Sequence, residues 1–221
     1  MIIAIDGPAG AGKSTVTRQL AERLGFSFLD TGAMYRAVTW AALDRNVNFS
    51  DSDALLVLAT GLEIALDGEC VLVEGHDVSA EIRLPEVTRS IYHIADHPGI
   101  RDILVQLQRK IALQGNFVCE GRDQGTVAFP DAFCKIYLNA SPQFRAMRRV
   151  AQMEAAGQYV DFDQVVAEQS LRDQRDLNRE VGRLMRADDA IEVNTDNQSI
   201  AEVVGELERI AREKIAAHSG A

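Results

Sequence analysis

Residues 7–14 read Gly7-Pro8-Ala9-Gly10-Ala11-Gly12-Lys13-Ser14, a complete G-x-x-x-x-G-K-[ST] run, and they join two segments of opposite character. Before them lies the continuous apolar run Ile2-Ile3-Ala4-Ile5, as expected of a strand buried on both faces. After them Val16, Leu20 and Leu24 recur on one helical stripe that stops at Gly25, a residue suited to the left-handed position after a helix. A strand that turns through glycines into a helix commits the chain to alternating β and α elements. It also makes an anion site. The glycines let backbone N–H groups turn inward with no Cβ in the way, and the helix N-terminus adds the positive end of its dipole.

The rest of the chain keeps that alternation. Residues 26–29, 117–119, 134–138 and 191–193 read as further strands. Residues 98–114 carry Ile100, Ile103, Leu104, Leu107 and Ile111 at helical spacing and stop at Gly115. Ser141-Pro142 predicts an N-cap followed by proline at the first helical position, and Ser199 with Glu202 predicts a capping box before a final helix. Such a pattern implies a parallel sheet covered by helices. One segment departs from it. The alternating runs 62–66 and 69–73 flank Asp67-Gly68, which predicts an antiparallel hairpin with those two residues as its loop. A hairpin inside a βα chain points to an inserted subdomain over residues 31–98.

Composition removes several classes of function. With 33 acidic against 23 basic residues the formal charge is −10, the wrong sign for a nucleic-acid backbone binder. No apolar run approaches the roughly 20 residues that span a bilayer, and no basic residue precedes the first one. A cytoplasmic protein with no membrane partner is expected. Cys70, Cys119 and Cys134 are scattered, with neither a disulfide framework nor zinc-ligand spacing.

The loop implies a nucleoside triphosphate. Lys13 reaches its β- and γ-phosphates and the Ser14 hydroxyl ligates Mg²⁺. A switch GTPase needs an N-K-x-D element, and none of Lys13, Lys110, Lys135 or Lys214 follows an asparagine. A small kinase instead needs a second, basic site for an anionic acceptor. The 19 arginines matter here more than the 4 lysines, because planar guanidinium forks grip phosphate oxygens two at a time. Arg172, Arg175, Asp176 and Arg179 share one helical face, which fits either a phosphate grip or a solvated salt-bridge ladder. Glu120-Gly121-Arg122-Asp123 follows a strand directly, where the ligand crevice of a parallel sheet lies. Asp30-Thr31-Gly32 ends the second strand in the same way, with Arg36 about a turn further on.

Four stretches together carry a resemblance: residues 7–15, 29–36 (Leu-Asp-Thr-Gly-Ala-Met-Tyr-Arg), 121–127 (Gly-Arg-Asp-Gln-Gly-Thr-Val) and 172–176 (Arg-Asp-Gln-Arg-Asp). In these the chain resembles the bacterial cytidylate kinases, from near its first residue to about residue 195. The resemblance implies a P-loop fold. Its CORE, over about 1–30, 99–148 and 163–221, is built on a five-stranded parallel sheet. An NMP-binding insert covers about 31–98 and a short LID about 149–162, without the cysteines a zinc LID needs. It implies ATP bound by Gly7, Pro8, Ala9, Gly10, Ala11, Gly12, Lys13, Ser14 and Thr15, with Arg148 or Arg149 against the adenine. CMP would be held by Thr31, Arg36 and Arg122 at the phosphate, Arg101 and Asp123 at the cytosine, and Arg172 and Asp176 at the ribose. Lys13, Arg122, Arg175 and Arg179 would neutralise phosphate charge in catalysis, and Ser14 and Glu120 would serve Mg²⁺.

Two positions depart from that family's pattern. Tyr92 stands where a small hydroxyl residue usually helps read cytosine, with Ser90 close by, and Glu120 stands where Asp is more usual. The implied reaction is transfer of the γ-phosphoryl of ATP to CMP or dCMP, in a monomer. The attacking phosphate is already anionic near neutrality, since its second pKa is about 6, so none of His76, His93, His97 and His218 needs a catalytic role. The alternatives are another small-acceptor kinase, UMP-preferring or shikimate-type, and a nucleotide-binding regulatory module without turnover.

Overall fold

The computed structural model describes residues 1–68, 70–155 and 157–219. Two compact units emerge: Met1–Phe28 with Gly115–Ala221, and Leu29–Gln114.

The first unit is organised by a five-stranded sheet of order β2-β6-β1-β7-β8, with β1 Ile2–Asp6, β2 Ser27–Asp30, β6 Phe117–Gly121, β7 Cys134–Asn139 and β8 Ile191–Asn194. The β1–β6, β1–β7 and β7–β8 pairs run parallel. β1 is central, and Ile3, Ala4 and Ile5 are buried, which explains an apolar run without alternation. Helices α1 (Lys13–Leu24) and α8 (Ile200–Ser219) pack together. Their Val16, Leu20, Val204, Leu207 and Ile210 close one core over Ile3, Ile5, Ile136 and Leu138. Gly25 ends α1 in the left-handed region at φ 67°. The capping box before α8 forms as expected: Glu202 accepts from the Ser199 N–H and hydroxyl. Helices α6 (Pro142–Ala155) and α7 (Phe162–Asn178) pack on each other. Cys119 and Cys134 lie on the strands either side of β1, opposite Ala4 and Ile3, and both are buried.

The second unit contains α2 (Thr31–Asp44), α3 (Ser52–Gly61), a small antiparallel sheet, α4 (Pro85–Ala95) and α5 (Pro98–Ala112). Strand β2 passes into α2 through a single cap residue: the Asp30 carboxylate accepts from Ala33 N–H at 2.9 Å. α2 is buried on most of its surface, through Met34, Ala37, Val38, Ala41 and Ala42 among others. It therefore carries no amphipathic stripe, and sequence periodicity did not reveal it.

The hairpin differs from expectation in register. β3 (Ile64–Asp67) and β4 (Cys70–Val73) pair Asp67 with Cys70, so Gly68, at φ 59°, opens the loop rather than closing it. This register sets Leu66 opposite Val71 and Ile64 opposite Val73, whereas an Asp67-Gly68 loop would face Leu66 with Glu69. A third strand, β5 (His76–Asp77), follows a two-residue turn in which Glu74 and Gly75 both take positive φ. Among the described residues no helix is long and apolar enough to cross a membrane.

Two glycines make opposite predictions. A Cβ on Gly7, at φ 155°, would fall 2.1 Å from the backbone oxygen of Leu138, so Gly7→Ala must push β1 and β7 apart. We expect that overpacking to cost about 1–3 kcal/mol or more. Gly205, inside α8, has nothing within 4 Å of its Cβ position, and Gly205→Ala should stabilise by about 0.5–1 kcal/mol. Thermal unfolding of both variants beside the wild type checks the signs.

Candidate active site

The phosphate loop occupies the C-terminal edge of β1. Gly10 and Gly12 take φ 79° and 89°, and Gly12 is the left-handed N-cap of α1, which has neither a side-chain cap nor an acidic residue in its first turn. Cationic side chains take the loop carbonyls. Lys13 Nζ donates to Gly7 O and Pro8 O, both at 2.8 Å. Arg145 donates to Ala9 O at 2.9 Å and Arg148 to Ala11 O at 3.3 Å. The loop therefore spends these acceptors on the protein, with Ala11 N–H also meeting Pro8 O at 3.4 Å, and its other amides with the helix N-terminus form the complement for an anion. Ser14 and Thr15 are exposed just inside α1.

Lys13 is the electrostatic centre of this edge. Burial, then the Arg122 guanidinium, press its ammonium down to about 7, against the pull of Glu120; Arg172 adds to the pressure. Positive charge is thus gathered there in an acidic chain. Arg122, on the loop after β6, donates from Nε to Asp176 Oδ2 at 2.8 Å, and Arg179 donates to Asp176 Oδ1 at 2.8 Å. Burial works against the Asp176 carboxylate, but Arg122 and Arg179, with Arg172, hold it below the usual range. One carboxylate therefore fixes two guanidiniums. Arg172 is half-buried and Arg175 exposed on α7.

The expected four-residue helical face is not continuous. α7 ends at Asn178, and Arg179 is extended, with φ −57° and ψ 135°. The chain turns back there, Leu184 N–H filling the Asp176 carbonyl at 2.7 Å, and Arg179 reaches Asp176 from outside the helix. The Asp176–Arg179 pair is not part of a solvated ladder, because the Asp176 side chain is 8% exposed and that of Arg179 6%, whereas Arg175 remains exposed.

Of the two arginines expected near adenine, Arg148 also donates to Thr195 Oγ1 at 2.9 Å, while Arg149 donates to Gln152 on the exposed side. The acids Glu120 and Asp123 are both buried where β6 ends and its loop begins.

In the second unit Thr31 is the buried first residue of α2. Arg36 donates to Ile82 O at 3.1 Å and Thr88 Oγ1 at 2.9 Å. Arg101, 3% exposed, lies with its guanidinium carbon 5.2 Å from the Tyr35 ring centroid and donates to Ala95 O at 3.0 Å. Tyr92 tilts against His93 at 4.0 Å between centroids, and His93 stacks on Phe49. His97 caps α5, accepting from Ile100 N–H. The side chain of His218 lies outside the described residues.

Sequence reasoning passed over three residues of this site. Arg145 is buried beneath the loop and pairs with Asp173 at 2.6 Å. Nothing in the pattern separated it from Arg148 and Arg149 on the same helix. Asp6, an acid ending an otherwise apolar strand, was the visible signal that went unused.

A parallel sheet with a phosphate loop at its edge and arginines converging beside it defines a P-loop phosphotransferase. Solved structures agree on the fold. TT1252 from Thermus thermophilus matches at TM-score 0.50 and 17% identity, covering 99% of this chain and 97% of that one. A gluconokinase from Sinorhizobium meliloti 1021 matches at TM-score 0.50 and 17% identity, covering 99% and 96%. At the level of sequence, the family described as Cytidylate kinase matches residues 3–213, and the chain belongs to that family of nucleoside monophosphate kinases. A cytidylate kinase of Rhodopirellula baltica is 47% identical over 98% of this chain and 95% of its own length. One from Bacillus velezensis is 44% identical over 96% of each. A bifunctional pantoate ligase/cytidylate kinase of Synechococcus sp. (strain WH7803) is 48% identical over 97% of this chain, which spans 45% of that protein.

The buried ammonium gives a pH prediction. Unfolded, Lys13 titrates near 10.5; folded, near 7, so between these values the unfolded chain binds more protons and stability rises with pH. Lys13→Met lacks this dependence. Its melting temperature, taken relative to wild type, should therefore fall steadily from about pH 6.5 to about pH 9.5. A flat difference would show that Lys13 titrates normally in the folded chain.

Proposed function

We propose that this chain transfers the γ-phosphoryl group of ATP to CMP and dCMP, giving ADP and the corresponding diphosphate. The observation that carries the reading is the joint placement of the phosphate loop, the buried Lys13 ammonium and the Asp176-clamped pair Arg122 and Arg179. It is a set suited to a loose, highly charged phosphoryl transition state.

Residues 7–15 bind the triphosphate of ATP. The Arg148 guanidinium has its in-plane N–H groups committed to Ala11 and Thr195, which leaves its flat face for adenine. Thr31, Arg36 and Arg122 bind the CMP phosphate, and Arg172 and Asp176 the ribose. Asp123 accepts from the cytosine N4 amine, while Arg101 donates to its O2 and N3. The CMP oxygen attacks the γ-phosphorus in line as the bond to the bridging oxygen of ADP breaks. Lys13, Arg122, Arg175 and Arg179 neutralise the charge. The working divisions are the CORE, the insert over 31–98 and a LID over 149–162 that excludes water, Ala156 lying outside the described residues. The enzyme acts as a cytoplasmic monomer.

The donor set fits Mg²⁺. Among the described residues no group of three or more His, Cys, Asp or Glu side chains forms a cage. Mg²⁺ on a nucleotide characteristically takes one or two protein groups alongside phosphate and water. Ser14, exposed in the first turn of α1, and Glu120 would serve the ion, which would supply positive charge to offset that of the phosphates.

Three variants test the reading. Lys13→Ala should nearly abolish turnover while circular dichroism stays native, because alanine is a good helix former. Asp123→Ala should narrow the preference for CMP over UMP by about 5- to 10-fold, the lower end of a base contact, because it removes the acceptor for N4 and the repulsion against the uracil carbonyl. Arg36→Ala should weaken both substrates alike. Values of kcat/KM for CMP and UMP decide: equal losses for the two bases in Asp123→Ala overturn the base-reading role. A wild type preferring UMP would show that Tyr92 has redirected specificity.

A further inference from the structure

The last residue of β1 carries a side chain that phosphate chemistry does not use. Asp6 is 4% exposed. Its Oδ1 accepts from Gln124 N–H and its Oδ2 from Gly125 N–H, both at 2.8 Å. Those amides open the π-helical turn Gln124–Ala128, where Val127 N–H and Ala128 N–H both reach back to Asp123 O at 2.8 and 3.1 Å. Single π turns are rare and concentrate at functional sites. Arg122 and Asp123 immediately precede this one, so whatever fixes its first residues fixes them.

We propose that Asp6 is a positioning residue: its carboxylate clasps the Gln124–Ala128 turn, and so holds Arg122 and Asp123 in register with the phosphate loop that begins at Gly7. The proposal rests on the acceptor role given above to Arg122 and Asp123.

The geometry selects a carboxylate. Two N–H donors meet one side chain on separate oxygens, Gln124 on Oδ1 and Gly125 on Oδ2, so in this placement a carboxylate satisfies both while an amide would set its own N–H₂ against one of them. Keeping that group in a dry place is unfavourable. Burial, with Asp123 adding repulsion, lifts the Asp6 carboxyl to about 6 even though both hydrogen bonds and Lys13 favour its charge. A strand end could be built without such a residue, as β7 shows by ending in the half-buried Asn139. The charge is retained where it ties two loops at one edge. Gly125 completes the fit, since its Cβ position is 3.5 Å from Asp6 Oδ2 and 3.2 Å from the Lys135 stem.

The experiment combines Asp6→Asn with a substrate-free measurement. The amide replaces one acceptor by a donor facing an N–H, at nearly unchanged volume. Amide hydrogen exchange followed by mass spectrometry should show residues 122–129 protected in the wild type. In Asp6→Asn they should exchange about 10- to 100-fold faster, the loss expected for a hydrogen bond to a charged group. Steady-state kinetics should show kcat/KM for CMP falling by a similar factor and the CMP-to-UMP ratio narrowing, with KM for ATP changing less than about threefold. Gly125→Ala, which presses a methyl 3.2 Å from the Lys135 stem and sets it in contact with Asp6 Oδ2 while leaving the carboxylate in place, should shift the same readouts in the same direction and less far.

Wild-type exchange in 122–129 as fast as in the exposed segment 157–161 would overturn the clasp. So would an Asp6→Asn enzyme with unchanged CMP kinetics and base ratio, or one that loses ATP and CMP equally, which would mark a role in stability alone. A wild type that phosphorylates no CMP would overturn the functional reading instead. The two failures are distinguishable because the exchange measurement needs no substrate.

Discussion

A buried ammonium with its hydrogens on backbone carbonyls is the constraint to which the Met1–Phe28 and Gly115–Ala221 unit answers. Lys13 holds Gly7 O and Pro8 O, and its neighbours Arg145 and Arg148 hold Ala9 O and Ala11 O. With its carbonyls so held, the loop keeps one curvature. The supports of that curvature come from three elements: Lys13 from α1, Arg145 and Arg148 from α6, and from β7 a close approach to Gly7 that no side chain would allow. The cations repel one another, and Arg122 presses further on Lys13. The arrangement is least comfortable without a polyanion, which is the condition a phosphate-transferring site must meet to favour a transition state richer in charge than its surroundings.

The acids of this edge have divided labour. Asp176 orients guanidiniums, Asp173 anchors Arg145, and Asp6 meets backbone amides. None of the three needs to meet substrate to matter, because truncating any one leaves a buried partner unsatisfied. The chain's net negative charge is therefore compatible with a locally basic site: part of the acid complement is spent inside it, keeping arginines in place.

Those second-order pairings were the part the sequence concealed. The phosphate loop was legible because its glycines, lysine and serine are contiguous and each has a local reason. Strands β1 and β6 were legible because strands buried on both faces read as unbroken apolar runs, β2, β7 and β8 as short apolar-rich runs interrupted by a polar residue, and helices α1, α5 and α8 as stripes packed on one side. α2 failed that test, being buried nearly all round, and β5 is two residues long. The hairpin was visible but its register was not, since Asp-Gly suits either frame and only the pairing of Leu66 with Val71 decides. Arg122 and Asp176 stand 54 residues apart, and Asp6 and Gln124 118 apart; no periodicity links such partners. Only the closure of the parallel sheet brings them together.

The thiols of β6 and β7 offer a different use of the same sheet. Burial lifts Cys119 to about 12 and Cys134 to about 11, so neither supplies appreciable thiolate at neutral pH while the strands are closed. Cys70, in the second unit, is exposed. An alkylating reagent therefore meets one thiol in the folded chain and three once the large sheet opens. The stoichiometry and rate of modification become a clock for unfolding around β1, built into the native sequence and needing no introduced label.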